Sequence, residues 1–303
     1  MVSLGFLSLL VLAALIVPTQ MPDSLKETSS SAFLPPLSAA LEPGVIHLCG
    51  TDLNGQDLFY RLLTGARVSL GVGIAGALIS LFIGATYGMV SGYFGGRVDA
   101  LMMRFVDMVY AVPRILFIMI FIAVFDSYFK DWLDGLRLWS QEVQWLKMEA
   151  LARGLIPYSK ILVMILSLGL VEWLTMARII RGQVLVLREM TFVTASRAMG
   201  QSGWAILRKH LLPNLSTLIL TYLTLTIPTV VLDESFLSFL GLGIDDPEAS
   251  WGSLLKDGAQ VINPLESKWW LLAFPAVLMS LTLLALNFLG DGLRDAFDPK
   301  SAD

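Results

Sequence analysis

The stretch LREMTFVTASRAMGQSGWAILRKHLLPN, residues 187–214, decides how the chain is read. It lies between two long apolar runs. Thr191 to Met199 are good helix formers, Gly200 can end that helix, Ser202 can cap another, and Pro213 marks where the next apolar run opens. Two short helices about a glycine turn make a compact knob with too little apolar content to be a domain. Basic residues crowd this region: Arg178, Arg181, Arg188, Arg197, Arg208 and Lys209 stand against one acid, Glu189. Beside membrane spans, such a bias marks a cytoplasmic connection. Composition leaves two readings of the knob open. It is either a charged tether that only fixes topology or a transmission element that docks in the groove of a cytoplasmic partner.

The flanking sequence supplies the membrane. Only 15% of the 303 residues are charged, against roughly 25% in a soluble domain, and 55% are hydrophobic. The mean hydropathy is +0.70. A single core of this length does not bury that much apolar surface, so lipid must cover part of it. Six runs, 2–17, 68–93, 100–125, 161–180, 215–232 and 269–289, approach the roughly 20 apolar residues a helix needs to cross a bilayer. The expected fold is therefore all-α and polytopic, with six transmembrane helices. Both termini then share one side, and the basic loop makes that side cytoplasmic. Residues 18–66, 126–160 and 242–268 fall outside. The last of these carries Asp245, Asp246, Glu248, Asp257 and Glu266 against Lys256 and Lys268. The first run lacks a basic lead and a small-residue cleavage pattern, so it reads as a retained anchor. Residues 28–36, TSSSAFLPP, form a Ser/Pro-rich loop.

Two further patterns concern packing. Gly71, Gly73, Gly76, Gly84 and Gly88 on the second run mark a face for close helix approach. Trp132, Leu136, Trp139, Val143 and Leu146 recur at steps of four and three, which predicts an amphipathic helix within 126–160. It either lies in the membrane interface, where indole rings are favoured, or packs on the protein's own outer surface.

Enzyme chemistry finds little support. GxxxxGK[ST], HExxH and GxSxG are absent, and His47, His210 and Cys49 exhaust the histidines and cysteines. No catalytic residue, metal centre or cofactor is assigned to the chain, and a net charge of −4 gives no footprint for nucleic acid. Acids at membrane depth are costly and therefore functional candidates: Asp107, Glu172, Asp233 and Glu234. Asp107 follows Arg104 by three residues, a spacing that predicts a neutralising ion pair. Glu172 is too far from Arg178 for a simple intrahelical pair, leaving a structural role, a water-filled path or a contact with another subunit. Asp233 and Glu234 point about 100° apart on a helix, and Glu234 is assigned to the interior. A proton-driven secondary transporter of small solutes, using Asp107, Glu172 and Glu234, is the alternative to a partner-driven one.

The loop quoted at the outset resembles the EAA loop of ABC importer permeases, EAAxxxG with nine residues before IxLP. Thr194, Ala195 and Ser196 occupy the EAA positions, Gly200 the glycine, His210 the isoleucine, and Leu212 and Pro213 the final pair. GTDLNGQDLFYRLLTGARVSL (50–70), ESFLSFLGLG (234–243) with SWGSLLKDGA (250–259), and NFLGDGLRDAFDP (287–299) resemble the oligopeptide/dipeptide branch, C-type membrane subunit. The resemblance implies a type I importer permease fold over 67–303, preceded by a first transmembrane helix at 1–17 and an extracytoplasmic segment at 18–66. It further implies a homologous permease partner, two cytoplasmic ATPases that bind ATP and Mg, a peptide-binding protein outside, and a bacterial inner membrane. The ATPases would dock on Thr194, Ala195, Ser196, Arg197, Met199, Gly200, Gln201, Ser202, Leu212 and Pro213. Three features depart from the pattern. Thr194 replaces the glutamate, Gln56 stands where GTDxxGRD has arginine, and 126–160 is longer than the usual link. The lead before the first span is also shorter than the family's.

If the knob transmits motion, replacing Gly200 with a bulky residue abolishes uptake while membrane insertion persists, as read by transport assay and membrane fractionation.

Overall fold

In hydrocarbon, only a helix or a closed barrel satisfies every backbone polar group, and these apolar runs settle into helix. The structure, a computed structural model, describes residues 2–26, 31–39, 46–143, 145–244, 248–263 and 266–297. Residues 28–30 of the Ser/Pro-rich loop, Asp245, Asp246 and the end of the 287–299 stretch lie outside the described residues. The helices are α1 (Val2–Gln20), α2 (Asp23–Lys26), α3 (Leu58–Phe94), α4 (Gly96–Tyr110), α5 (Arg114–Glu142), α6 (Leu146–Leu155), α7 (Ser159–Leu187), α8 (Thr191–Ala198), α9 (Gly203–Ile206), α10 (Leu212–Phe239), α11 (Trp251–Gln260) and α12 (Trp270–Phe297). A two-residue antiparallel pair, β1 (Ser38–Ala39) and β2 (Ile46–His47), lies in the loop before α3.

Among the described residues, five helical stretches are long and apolar enough to cross a membrane: Val2–Gln20, Leu58–Phe94, Leu146–Leu187, Gly203–Phe239 and Trp270–Ala296. The run expected at 100–125 is not a straight rod. It breaks between α4 and α5, which are bent by 84° and make a sixth span if the pair is counted as one. Pro113 explains the break, because it lacks a backbone donor and steers the residue before it away from helix. Its own backbone is extended, with φ −54° and ψ 121°.

The single amphipathic helix expected within 126–160 is also corrected. Helix α5 continues to Glu142, and α6 and a 3₁₀ turn at Ile156–Tyr158 complete the segment. The segment packs on the chain, α6 lying against α5, and Trp139 meets Trp145 edge to face, yet the large side chains of the stripe stay open. Trp132, Trp139, Val143 and Leu146 are exposed, while Ile118, Ile122, Leu133 and Ser140 form the buried side of α5.

Two compact units form, Met1–Gly73 with Val231–Leu289 and Ile74–Val230 with Gly290–Asp303. In the first, α3 starts on a capped loop. Asp57 Oδ1 accepts from Tyr60 N at 2.8 Å, and His47 Nδ1 lies 2.9 Å from Asp57 Oδ2. Asp52 accepts from the amides of Asn54 and Gln56 and pairs with Arg61 at 2.5 Å, and Arg61 also approaches Asp257 at 3.6 Å. The core beside it joins Leu58, Leu62, Leu254, Trp270 and Leu271.

The second unit is seamed by glycine. A methyl on Gly84 would meet Trp173 O at 2.8 Å, one on Gly88 would meet Ala177 O at 2.5 Å, and one on Gly92 would meet Arg181 O at 3.0 Å. The α3 backbone therefore rides directly on the α7 carbonyls, one helical turn at a time. Gly76 and Gly84 do what the spacing predicts, whereas Gly71 faces open space.

Gly88→Leu is expected to lower the unfolding midpoint of the detergent-solubilised protein by an amount equivalent to about 1–3 kcal/mol of overpacking. Gly71→Ala should leave it unchanged or slightly raised, and differential scanning fluorimetry reads both.

Candidate functional site

The knob forms because its backbone ends are closed locally. Gly200 has φ +78°. Its amide donates to Arg197 O at 2.9 Å and the Gln201 amide to Ser196 O at 3.2 Å. This paired closure requires a left-handed residue at the turn, which glycine adopts without steric cost. Ser202 then caps α9, accepting from Ala205 N at 3.3 Å. A wider turn at Leu207–Leu211 leads into α10, with Pro213 in the first turn of that helix, where its missing donor costs least.

Two faces result. Inward, Val193, Ile206, Leu207 and Leu211 join Ile180, Val184 and Leu187 in a fully apolar cluster. Outward, Met199 is 72% and Trp204 68% exposed, with Met190 and Phe192 also exposed. Thr194 turns its hydroxyl back onto Thr191 O at 2.9 Å, so the acidic position of the pattern presents no charge. Ala195 and Ser202 are exposed, as are Leu212 and Pro213. His210, at the isoleucine position, places Nε2 3.0 Å from Gln201 Oε1 and 3.3 Å from Ser196 Oγ. It thereby ties the wide turn back to α8. Arg197 sits over the Tyr93 ring at 4.8 Å, and Arg188 donates to Gly92 O at 3.0 Å, so the knob is held to the end of α3 as well. The link through His210 had no sequence signal, because the family pattern places an apolar residue there.

The acids at membrane depth are all engaged. Asp107 pairs with Arg178 of α7 at 2.8 Å, which replaces the expected pair with Arg104. Arg178 also lies over the Tyr110 ring, at 4.1 Å, and so reaches Asp107 from a neighbouring helix. Glu172 is buried and pairs with Arg114, at the first turn of α5. Glu234 is fully buried, as its assignment to the interior predicts, whereas Asp233 is half-buried. It accepts from Ser69 at 2.7 Å, Ser238 at 2.8 Å and Ser235 at 3.2 Å. Ser69 in turn accepts from Trp251 N at 3.1 Å, and a Ser250–Ser253 capping box opens α11. Glu234 thus holds the ends of α3, α10 and α11 together.

Asp99, paired with Arg181 at 2.5 Å, and Arg114 were not singled out in the sequence. A basic residue inside an apolar run was the signal for Arg114, whereas Asp99 lies in the turn before that run and carries no such signal. Gln56, in place of arginine, donates to Lys26 O at 3.3 Å. Burial, with the Asp57 carboxylate adding to it, pushes the Cys49 thiol up to about 11, so it stays protonated near neutral pH.

Residues 84–303 match the family of binding-protein-dependent transport system inner membrane components. The chain belongs to that family of importer permeases. It is 38% identical to the oligopeptide transport system permease protein OppC of Haemophilus influenzae, over 98% of this chain and 83% of that protein. It is 40% identical to the dipeptide transport system permease protein DppC of Bacillus subtilis, over 99% of this chain and 81% of that one. Among solved structures, a chain of the MetNI methionine ABC transporter in inward-facing conformations superposes with a TM-score of 0.54 at 19% identity. The alignment covers 79% of this chain and 97% of that chain, and it gives the fold of an ABC importer permease. These matches favour binding-protein-dependent transport over the proton-driven alternative.

Glu234→Ala removes the acceptor shared by three serines and opens a cavity. It should destabilise the protein by about 3 kcal/mol, whereas Glu234→Gln, which keeps the shape and one acceptor, should lose less. Unfolding midpoints of the two variants in detergent test the difference.

Proposed function

We propose that this chain is one of two homologous permease subunits of a bacterial ABC importer. The pathway they form carries oligopeptides or dipeptides delivered by an extracytoplasmic binding protein. The relatives named for oligopeptide and dipeptide transport support that substrate class. Two cytoplasmic ATPases, binding ATP and Mg, supply the energy, and one of them docks on the knob of α8 and α9. The basic loop supports an inner-membrane orientation with both termini cytoplasmic. The segment 67–303 then serves as the permease domain, with 1–17 as the first transmembrane helix and 18–66 outside.

The observation that carries this reading is the exposure of Met199 and Trp204 on a helix pair held rigid by the Gly200 turn and the His210 link. Large apolar side chains on a tightly braced surface element mark a contact with another protein. With Thr194 uncharged, the contact relies on apolar burial, about 1.5–3 kcal/mol for each large side chain covered. The knob shares its apolar cluster with α7 and α10, so a rotation of the bound ATPase moves the spans and alternates access between the two mouths.

The double variant Met199→Asp, Trp204→Asp is expected to lose the ATPase on co-purification and to reduce ATP-driven uptake at least about tenfold. Retention of both would overturn the docking assignment. Uptake that survives ATP depletion but collapses with the proton gradient would instead revive the carboxylate-driven alternative.

A further inference from the structure

Arg114 and Glu172 meet in a cavity of about 250 Å3 that Val109, Tyr110, Pro113 and Thr175 also line. The cavity sits at the break of the bent span, between the last residue of α4 and the first of α5. Glu172 lies midway along the 29-residue α7, so the pair is placed near the middle of the bilayer. Broken helices at that depth leave backbone polar groups beside a site, the arrangement on which transporter binding sites are built.

The surroundings indicate what covers this face. Three ion pairs tie α7 to the two arms of the bent span: Arg181 with Asp99, Arg178 with Asp107, and Glu172 with Arg114. The Asp107 side chain is 62% exposed and that of Arg114 is 37% exposed. Charged groups that far open cannot face acyl chains at acceptable cost. This side of the bent span therefore meets water, solute or protein.

We infer that the cavity is a station for the charged ends of the transported peptide, Glu172 accepting hydrogen bonds from the terminal ammonium and Arg114 donating to the terminal carboxylate. The inference rests on the peptide reading above and adds the groups that recognise the peptide. Charge balance supports it. The resting pair neutralises itself, and a zwitterion that separates it leaves every charge with a partner. Size supports it too, because a volume just below the roughly 300 Å3 of a whole-ligand pocket suits the main chain of a short peptide laid across the pair and leaves side chains outside. Such a station reads main-chain ends and ignores sequence, which is what a carrier of varied peptides needs.

The test uses the complete transporter, with its partner permease, ATPases and binding protein, reconstituted in liposomes. Uptake of trialanine, N-acetyl-trialanine and trialanine amide is measured in each variant. Glu172→Gln is expected to cut trialanine and trialanine amide uptake roughly tenfold while sparing the acetylated peptide. Arg114→Gln should cut trialanine and the acetylated peptide and spare the amide. The binding protein is unchanged, so a shift in these ratios belongs to the permease, and ATP hydrolysis stimulated by the loaded binding protein should persist. Thr175→Trp fills the cavity from an exposed position while both charged residues are kept, and should depress uptake of all three peptides in an assembled complex. A proportional loss across the three peptides in both charge variants, or normal uptake by Thr175→Trp, would overturn the station while leaving the peptide reading intact. Failure of the unaltered complex to take up any of the peptides would overturn both.

Discussion

The backbone-to-backbone seam of α3 against α7 is the constraint on which the rest of the second unit depends. Gly84, Gly88 and Gly92 remove side chains from one face of α3, and the α7 carbonyls occupy the space. Lipid gives two helices no hydrophobic reason to associate, so dispersion contact at this distance has to supply it. With α7 held on α3, its Glu172, Arg178 and Arg181 side chains reach Arg114, Asp107 and Asp99 of the bent span. The same seam brings Tyr93 and the Gly92 carbonyl to the knob, where Arg197 and Arg188 hold them. The knob and the ion pairs are thus carried on one pair of helices.

Much of this was legible in the sequence, for physical reasons. The helix ends at Gly200 and Ser202 are set by local rules, because a positive φ and a capping hydroxyl each concern a few neighbouring residues. Glu234 was assigned inward from helix geometry alone, and it is fully buried. The glycines at 76, 84 and 88 were visible as small residues within an apolar run. Where sequence reading failed, the competing partner lay far along the chain. Asp107 took Arg178, 71 residues away, over Arg104 on its own helix. Proline chemistry at residue 113 was visible, yet the run was read as one rod because hydropathy is blind to bend angle. The tryptophan pattern of 126–160 was periodic as read, but periodicity does not say which face turns outward.

The departures from the EAA pattern also take on a physical meaning. A threonine that bonds its own helix and a histidine that bonds Ser196 and Gln201 shift polar interactions from the outside of the knob to its inside. The outer surface is left apolar around Met199 and Trp204. Internal hydrogen bonds fix the relative position of two short helices that hydrophobic burial alone would let slide.

Helix α5 has 29 residues, which at about 1.5 Å each makes a rod of roughly 43 Å. The hydrocarbon layer is only about 30 Å thick. With its near end at Arg114 placed near mid-bilayer, the rod outruns the half-layer ahead of it, and its exposed tryptophans fall in or beyond the headgroup zone. Its near end is pinned by Arg114 to Glu172 and hinged at Pro113. Bilayer thickness therefore bears on the same joint that the 84° bend defines, and acyl chain length becomes a mechanical load on the span.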